Sequence, residues 1–324
     1  MRVLNALVLL WLVTTLTFAL IHSAPGDPAT LLIAPSATAA EALHQRAVWG
    51  LDASLPTQYV RWLSSMLRGD LGMSMALARP VTNVIADALP ISLALGGLSL
   101  LASFVFGILI GGVQALRASR TADTAITIVT TTIYAAPSFW LALALIAAVT
   151  SGAAWLGVPS WMRLPAFGMR DAAGLATGFA AWRDLARHAL LPLLVLSMPG
   201  AAGVARYART ALLDASSQPH VQAARARGVS TRGVAMRHVL RNAWTPLVVL
   251  LGLTLPGLIA GSVFVEQVFS WPGLGRTMLT SIAARDYPVV LGLTLVYAAT
   301  VIASNAMSDV LLMRLDPRRR ASGA

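Results

Sequence analysis

Residues that could do chemistry are few in this chain, and their spacing assembles no catalytic site. The five histidines are far apart in the sequence, at His22, His44, His188, His220 and His238. Neither an H-E-x-x-H nor a G-x-S-x-G motif occurs, and cysteine is absent. All 24 basic residues are arginines, so no lysine can reach nucleotide phosphates from a P-loop. The sequence therefore predicts no catalytic residue, no metal site and no cofactor of its own.

One basic stretch, Val221–Pro246, reads VQAARARGVSTRGVAMRHVLRNAWTP and carries five arginines. A helix pair is expected here, because Pro219 suits a first helical turn and Gly228 suits the position after a last one. Small polar residues would cap the two helices. The candidates are Ser217 or Gln218 for the first helix, and Ser230 or Thr231 for the second.

The second of these helices is expected to be amphipathic, with Arg237 and Arg241 one turn apart beside an apolar stripe. The stripe would consist of Met236, Leu240, Ala243 and Leu247. Such a stretch suits either a basic loop that rests on anionic lipid or a helix pair that fits a groove on a partner protein. The residues alone leave both interpretations open.

The elements that position these residues belong to a membrane protein, since the mean hydropathy is +0.72 and only 11% of residues are charged. A spanning helix needs about 20 apolar residues. The sequence predicts an all-α protein with six transmembrane helices, of which the first could instead be a signal peptide. The predicted spans are Val3–Ile21, Ala88–Leu116, part of Thr124–Met162, His188–Ala205, Asn242–Val265 and Tyr287–Ser308.

The arginines are densest on the side of the membrane that would hold both termini. Because arginine-rich short loops stay in the cytoplasm, we expect both termini and Arg206–Arg241 to be cytoplasmic. The net charge of +11 is explained by these loops, so no nucleic-acid partner is expected. Two G-x-x-x-G pairs, Gly107 with Gly111 and Gly257 with Gly261, suit close helix packing within the bundle or a subunit interface.

Short motifs follow one another in order along nearly the whole chain. They are APGDP at 24–28, RGDLGMS at 68–74, RPVTNVIADALP at 79–90, APSFWLAL at 136–143, QAARARG at 222–228, RHVLRNA at 237–243, FSWPGLGRTMLTSIAARDYPVV at 269–290 and LDPRRR at 315–320. Together they resemble the B-type permease subunit of the dipeptide, oligopeptide and nickel ABC importer family. QAARARG is similar to that family's EAA loop, with Gln222 in place of the usual glutamate.

The resemblance implies a type I ABC importer permease fold in the bacterial cytoplasmic (inner) membrane. It divides the chain into a first transmembrane helix (1–22), an extracytoplasmic loop region (23–88), a core permease domain (89–313) and a cytoplasmic tail (314–324). The coupling loop, residues 213–243, would dock on an ATPase subunit. The implied docking residues are Gln222, Ala223, Ala224, Arg225, Gly228, Arg237, His238, Arg241 and Asn242.

The resemblance also implies partners and a cargo. The partners would be a second homologous permease, two ATP-binding cassette ATPase subunits that bind the ATP, an extracytoplasmic substrate-binding protein and membrane lipid. The cargo would be peptides, with nickel or a metal chelate as the alternative, and a secondary transporter is the competing class. A possible external gate or mouth is formed by Glu266, Trp271, Pro272, Gly273 and Gly275, although Glu266 and Trp271 would also suit the membrane interface.

Overall fold

The computed structural model describes residues 2–25, 29, 37–171, 177–257 and 262–315. Every regular element in these ranges is helical, apart from an isolated β-bridge between Met73 and Pro80. This architecture confirms the predicted all-α fold. By its internal contacts the chain divides into two units, described separately below: Met1–Leu93 with Pro272–Ile302, and Ala94–Trp271 with Ala303–Ala324.

The helices vary widely in length, from single turns to 40 residues. Those of the N-terminal half are α1 (Arg2–Ser23), α2 (Ala39–Val48), α3 (Leu55–Leu67), α4 (Val81–Leu116), α5 (Thr121–Ala135) and α6 (Ser138–Ala147). Those of the C-terminal half are α7 (Gly178–Ser217), α8 (Pro219–Ala226), α9 (Thr231–Val234), α10 (Leu240–Thr254), α11 (Val263–Val268), α12 (Leu274–Ala283) and α13 (Tyr287–Leu315). A π-turn extends α6 through Ala148–Gly152 to Ala153–Trp155, and another, Ala235–Val239, joins α9 to α10.

Among the described residues, 5 helices are long and apolar enough to cross a membrane, and they correspond to five of the six predicted spans. The fourth predicted span is part of a continuous helix of 40 residues that contains both Pro192 and Pro199. Neighbouring helices can satisfy the backbone groups that proline frees. The spanning helices are Leu4–Ser23, Val81–Leu116, Ser138–Trp155, Gly178–Ser217 and Tyr287–Leu311.

One predicted span, the fifth, differs from the structure, so the count of six is approximate. The third, predicted as part of Thr124–Met162, is Ser138–Trp155. It begins at Ser138 because Pro137 forces the preceding residue into an extended conformation and ends α5. The fifth, Asn242–Val265, is not one uninterrupted helix in the described residues. There α10 ends at Thr254, α11 begins at Val263, and residues 258–261 lie outside the description.

Helix α7 is central to the second unit, where it contacts α5, α6, α8, α10 and α11. Two glycines of α4 let that helix approach α7 closely. A Cβ at Gly107 would lie 2.5 Å from the Cβ of Val204, and one at Gly111 would lie 2.5 Å from the carbonyl oxygen of Ala205. The first G-x-x-x-G pair therefore serves packing within the bundle. In the second pair, Gly257 has no such neighbour within 4 Å, and Gly261 lies outside the described residues.

In the first unit, a buried carboxylate fastens two loops together. Asp286 accepts hydrogen bonds from the Ser74 hydroxyl at 2.5 Å and from the backbone N–H groups of Met75 and Ala76 at 3.1 Å each. These residues lie in and just after the RGDLGMS motif and within ARDYPVV, so the two motifs meet in space. Their spacing in the sequence gave no sign of this pairing.

Candidate functional site

The helix pair predicted within the basic stretch is present in the second unit. Helix α8 begins with Pro219, and Gln218 is its extended N-cap. Gly228 follows α8 with φ +80°, a left-handed conformation that is unstrained only for glycine. A Cβ there would meet no atom within 4 Å, so the requirement for glycine is conformational rather than steric. The Ser230 hydroxyl then caps α9 by accepting the N–H of Gly233 at 3.3 Å.

The apolar stripe of the second helix differs from the predicted one in its first half. Ala243 and Leu247 are buried as predicted, but Met236 is 60% exposed. The buried positions before them are Val234 and Val239. The π-turn at Ala235–Val239 is the reason, because its wider turn inserts a residue and shifts the face by one position. A prediction that assumes regular α-helical spacing cannot anticipate this shift.

The helix pair has a small hydrophobic core of its own. Val221 and Ala224 of α8 pack against Val234, Val239 and Ala243, and the end of α7 closes the cluster. The residues that α7 contributes are Ala215 and the partly buried Ala211 and Leu212. The helix pair is therefore packed onto the end of α7.

Most of the predicted docking residues lie on the exposed surface of this pair. Ala224 is the exception, since it is fully buried in the small core, and His238 is half-buried. Gln222 donates from Nε2 to the carbonyl oxygen of Ser217 at 3.0 Å and so contacts the end of α7. The exposed residues are Gln222, Ala223, Arg225, Gly228, Arg237, Arg241 and Asn242.

The reversal at Gly228 brings together side chains that looked scattered in the sequence. Asn242 donates from Nδ2 to His220 Nε2 at 2.8 Å and to the carbonyl oxygen of His238 at 2.7 Å. The two imidazole rings are 6.5 Å apart. His220 and Asn242 also border a cleft of about 400 Å³, whose other polar residues are Tyr207, Thr210, Asp214 and Gln218.

An ion pair that the sequence analysis missed fixes α7 near the coupling loop. Arg209 donates from Nε to Asp123 Oδ1 at 2.9 Å and from Nη2 to Oδ2 at 2.7 Å. The N–H of Ser119 donates to the same carboxylate at 3.2 Å. The Arg209 hydrogen bonds hold the pKa of the Asp123 carboxyl below its usual range, against the opposing effect of burial. Arg209 and Asp123 are 86 positions apart in the sequence, so no local sequence pattern predicts that they pair.

Of the predicted mouth residues, Glu266 and Trp271 lie in the second unit and are buried. Glu266 is 0% exposed and accepts the Ser262 hydroxyl at 2.7 Å. Its carbonyl oxygen accepts the N–H of Trp271, a residue only 5% exposed. Both side chains are thus enclosed by protein rather than exposed at its surface.

The other predicted mouth residues lie in the first unit, where Pro272 is exposed while Gly273 and Gly275 are buried. Gly273 has φ −93° and precedes α12 in an extended conformation. The left-handed residue in this region is Ser270, with φ +57°, rather than a glycine. The role of these five residues as an external gate stays a prediction.

Comparison with known proteins agrees with this architecture. A family model described as "Binding-protein-dependent transport system inner membrane component" matches residues 103–321, and a model of its N-terminal region matches residues 1–96. The oligopeptide transport system permease protein AppB of Bacillus subtilis is 35% identical over 318 residues, which is 98% of this chain and 97% of the relative.

A second relative and one solved structure extend the comparison. The glutathione transport system permease protein GsiC of Escherichia coli K12 is 33% identical over 322 residues, again 98% of this chain and 97% of the relative. A crystal structure of an amino acid ABC transporter with histidines superposes with a TM-score of 0.53 at 15% identity, and covers 72% of this chain and 94% of that one. At this identity the structural match shows the fold alone.

Proposed function

Because this chain belongs to the binding-protein-dependent transport system inner membrane component family, and is thereby a multi-pass permease subunit of an ABC importer, we propose that its cargo is peptides. The observation that carries this proposal is similarity over the full length to permeases whose names specify oligopeptide and glutathione transport. Nickel or a metal chelate is the competing cargo.

The coupling loop supports a mechanism in which separate ATPase subunits drive the permease. Its arginine-rich surface is exposed, and its small core attaches it to α7. At about 1.5 Å per residue, the 40 residues of α7 extend about 60 Å. A push on the exposed face of α8 would thus be carried along α7 into the bundle.

The proposed assembly places both termini and the coupling loop in the cytoplasm, where the ATPases are. A second homologous permease would complete the translocation pathway, and an extracytoplasmic binding protein would deliver the peptide. ATP would bind to the ATPase subunits, since the chain has no lysine for a P-loop. The ATPases can shift the permease between two conformations only if those conformations contact them differently.

Uptake by proteoliposomes tests this function. The permease, co-expressed with its partner subunits and purified as a complex, would be reconstituted with the binding protein and ATP. We expect ATP-dependent accumulation of labelled short peptides and no accumulation of nickel ion or a nickel chelate. The chain purified alone should hydrolyse no ATP. Nickel uptake without peptide uptake would identify the cargo as metal rather than peptide. ATP hydrolysis by the chain purified alone would contradict the proposal that separate subunits hydrolyse the ATP.

A further inference from the structure

Three potential metal ligands meet at the end of α7 that is far from the coupling loop. Asp171, Asp184 and His188 each place one ligand atom so that all three atoms lie within 4.8 Å of one another. Asp184 and His188 are one helical turn apart on α7, and the backbone N–H of Asp171 donates to Asp184 Oδ2 at 3.1 Å. The three residues lie in the second unit, and none of them takes part in the coupling loop.

The hydrogen bonds of His188 determine which ring nitrogen is available. Nδ1 lies 3.0 Å from the carbonyl oxygen of Asp184 and 3.2 Å from its Oδ1. Both atoms are acceptors, so Nδ1 carries a proton. Nε2 faces Asp171 Oδ1 at 3.7 Å, beyond hydrogen-bond distance. In the neutral ring Nε2 bears a lone pair, so two electron-rich atoms face each other and a cation between them would be stabilised.

This arrangement matches the surroundings of a protein-bound transition metal. A metal-ligating histidine typically donates its other N–H to a carbonyl or a carboxylate, and here Nδ1 can donate to the backbone carbonyl oxygen of Asp184, which leaves the Asp184 carboxylate for the ion. Bonds of about 2.1 Å at tetrahedral angles put two ligands of one zinc ion about 3.4 Å apart, close to the 3.7 Å between Nε2 and Asp171 Oδ1. The imidazole is buried while the Asp171 side chain is 73% exposed, which leaves a route for an ion to enter.

We propose that Asp171, Asp184 and His188 bind a divalent transition-metal ion, for which zinc is the best match. One imidazole nitrogen and two carboxylate oxygens are a common zinc ligand set, with the remaining position left to water. The ion would fasten the segment at Asp171 to α7. The site is far from the coupling loop, because about 29 residues of α7 separate His188 from Ser217, or roughly 43 Å at 1.5 Å per residue.

Zinc titration of the permease tests the site. The protein would be purified in detergent without a polyhistidine tag, stripped with a chelator, and titrated calorimetrically with ZnCl₂ and with MgCl₂. We expect one zinc ion per chain and no comparable binding of magnesium, which prefers all-oxygen sites. Asp171→Asn should weaken zinc binding at least ~10-fold. Because this side chain is largely exposed, the variant should remain folded.

Two further variants make the result decisive. His188→Gln should also lose zinc binding, whereas His44→Gln, at an exposed position on α2, should bind zinc like the wild type. A zinc-dependent rise in the unfolding temperature should follow the same pattern. If the wild type binds no zinc, or binds it only as tightly as Asp171→Asn and His188→Gln do, the metal site is excluded.

Discussion

Single side chains secure the end of α7 that leads into the coupling loop. Arg209 binds the Asp123 carboxylate through two hydrogen bonds, and this geometry fixes the orientation of both groups. Asp123 lies in the first turn of α5, so the ion pair ties the start of α5 to α7. The pair is part-buried, and loss of the carboxylate would leave the arginine without this partner.

Replacement of Asp123 by asparagine should lower the unfolding temperature of the permease in a pH-dependent way. The pKa of Asp123 is lowered in the folded protein, relative to an ordinary aspartate value of about 3.9. Its stabilising contribution should therefore be complete above about pH 4 and should disappear as the pH falls through the lower folded-state pKa. Thermal unfolding in detergent at pH 7, 5 and 3 measures the difference between wild type and Asp123→Asn.

The control is Asp52→Asn, which removes a more exposed pair with Arg46 at 3.2 Å. Exposed pairs contribute little, so this variant should unfold like the wild type at each pH. If the difference in unfolding temperature between wild type and Asp123→Asn stays constant from pH 7 to pH 3, the charge of Asp123 is not what stabilises the fold.

Residue-level prediction succeeded where local rules apply and failed where distant partners decide. Pro219 and Gly228 lie at the predicted helix start and just after the predicted helix end, and Ser230, one of the two candidates with Thr231, is the cap. Each role follows from the residue's own backbone preference or hydrogen bonding. The pairing of Asp123 with Arg209 required the fold itself. The proximity of His220 to His238 likewise depends on the chain reversal between them.

At the level of elements, the closeness of α4 to α7 depends on glycine. Gly111 and Gly112 are neighbours on α4, yet their surroundings differ. A Cβ at Gly111 would lie 2.5 Å from the carbonyl oxygen of Ala205 and 2.7 Å from the Cβ of Ala208, whereas one at Gly112 would meet nothing within 4 Å. The sequence motif indicated close packing, but only the structure identifies α7 as the helix against which Gly107 and Gly111 pack.

Gly111→Ala should therefore destabilise the permease, and Gly112→Ala should not. The added methyl group at Gly111 must push the two helices apart, at a cost of about 1–3 kcal/mol. At Gly112 the same change should be neutral or stabilising by up to about 1 kcal/mol, since alanine favours a helix over glycine. Thermal unfolding of both variants in the same detergent gives the comparison. Equal unfolding temperatures would mean that α4 and α7 are not in close contact.

The breaks in the predicted spans have local causes that hydropathy alone does not report. Apolar residues continue across Ala136 and Pro137, so a hydropathy window sees one segment where the backbone has two helices. Within the second helix of the basic stretch, the π-turn changes which residues face inward while the apolar composition stays the same. The sequence thus predicted the number of spans approximately. The ends of the helices, and the residues that face the protein interior, could be identified only from the backbone geometry.

For the whole molecule, membrane orientation is the most general prediction. The arginine-rich coupling loop and both termini are expected in the cytoplasm, and the region around α2 and α3 is expected outside. The chain has no cysteine, so single cysteines can be introduced without background labelling. Ala226→Cys and Ser54→Cys would place thiols at exposed positions in the two regions.

Intact cells treated with a membrane-impermeant maleimide should label Ser54→Cys and leave Ala226→Cys unlabelled. After the membrane is permeabilised, both should react. Labelling of Ala226→Cys in intact cells, with Ser54→Cys protected, would reverse the orientation and remove the coupling loop from the reach of cytoplasmic ATPases.

The coupling role itself is tested most directly by ATP-dependent peptide uptake and ATPase pull-down with Gly228→Val. A β-branched residue at φ +80° costs about 1–2 kcal/mol, which corresponds to a factor of about 5–30 in the population of the native turn. We predict a several-fold loss of both peptide uptake and ATPase binding, with the Gly228→Val protein present in the membrane at the wild-type level. Gly50→Val, with φ +69° and the same open surroundings, should be near normal, and Arg225→Ala should be only mildly affected. Normal transport by Gly228→Val beside a defective Arg225→Ala would contradict the coupling role.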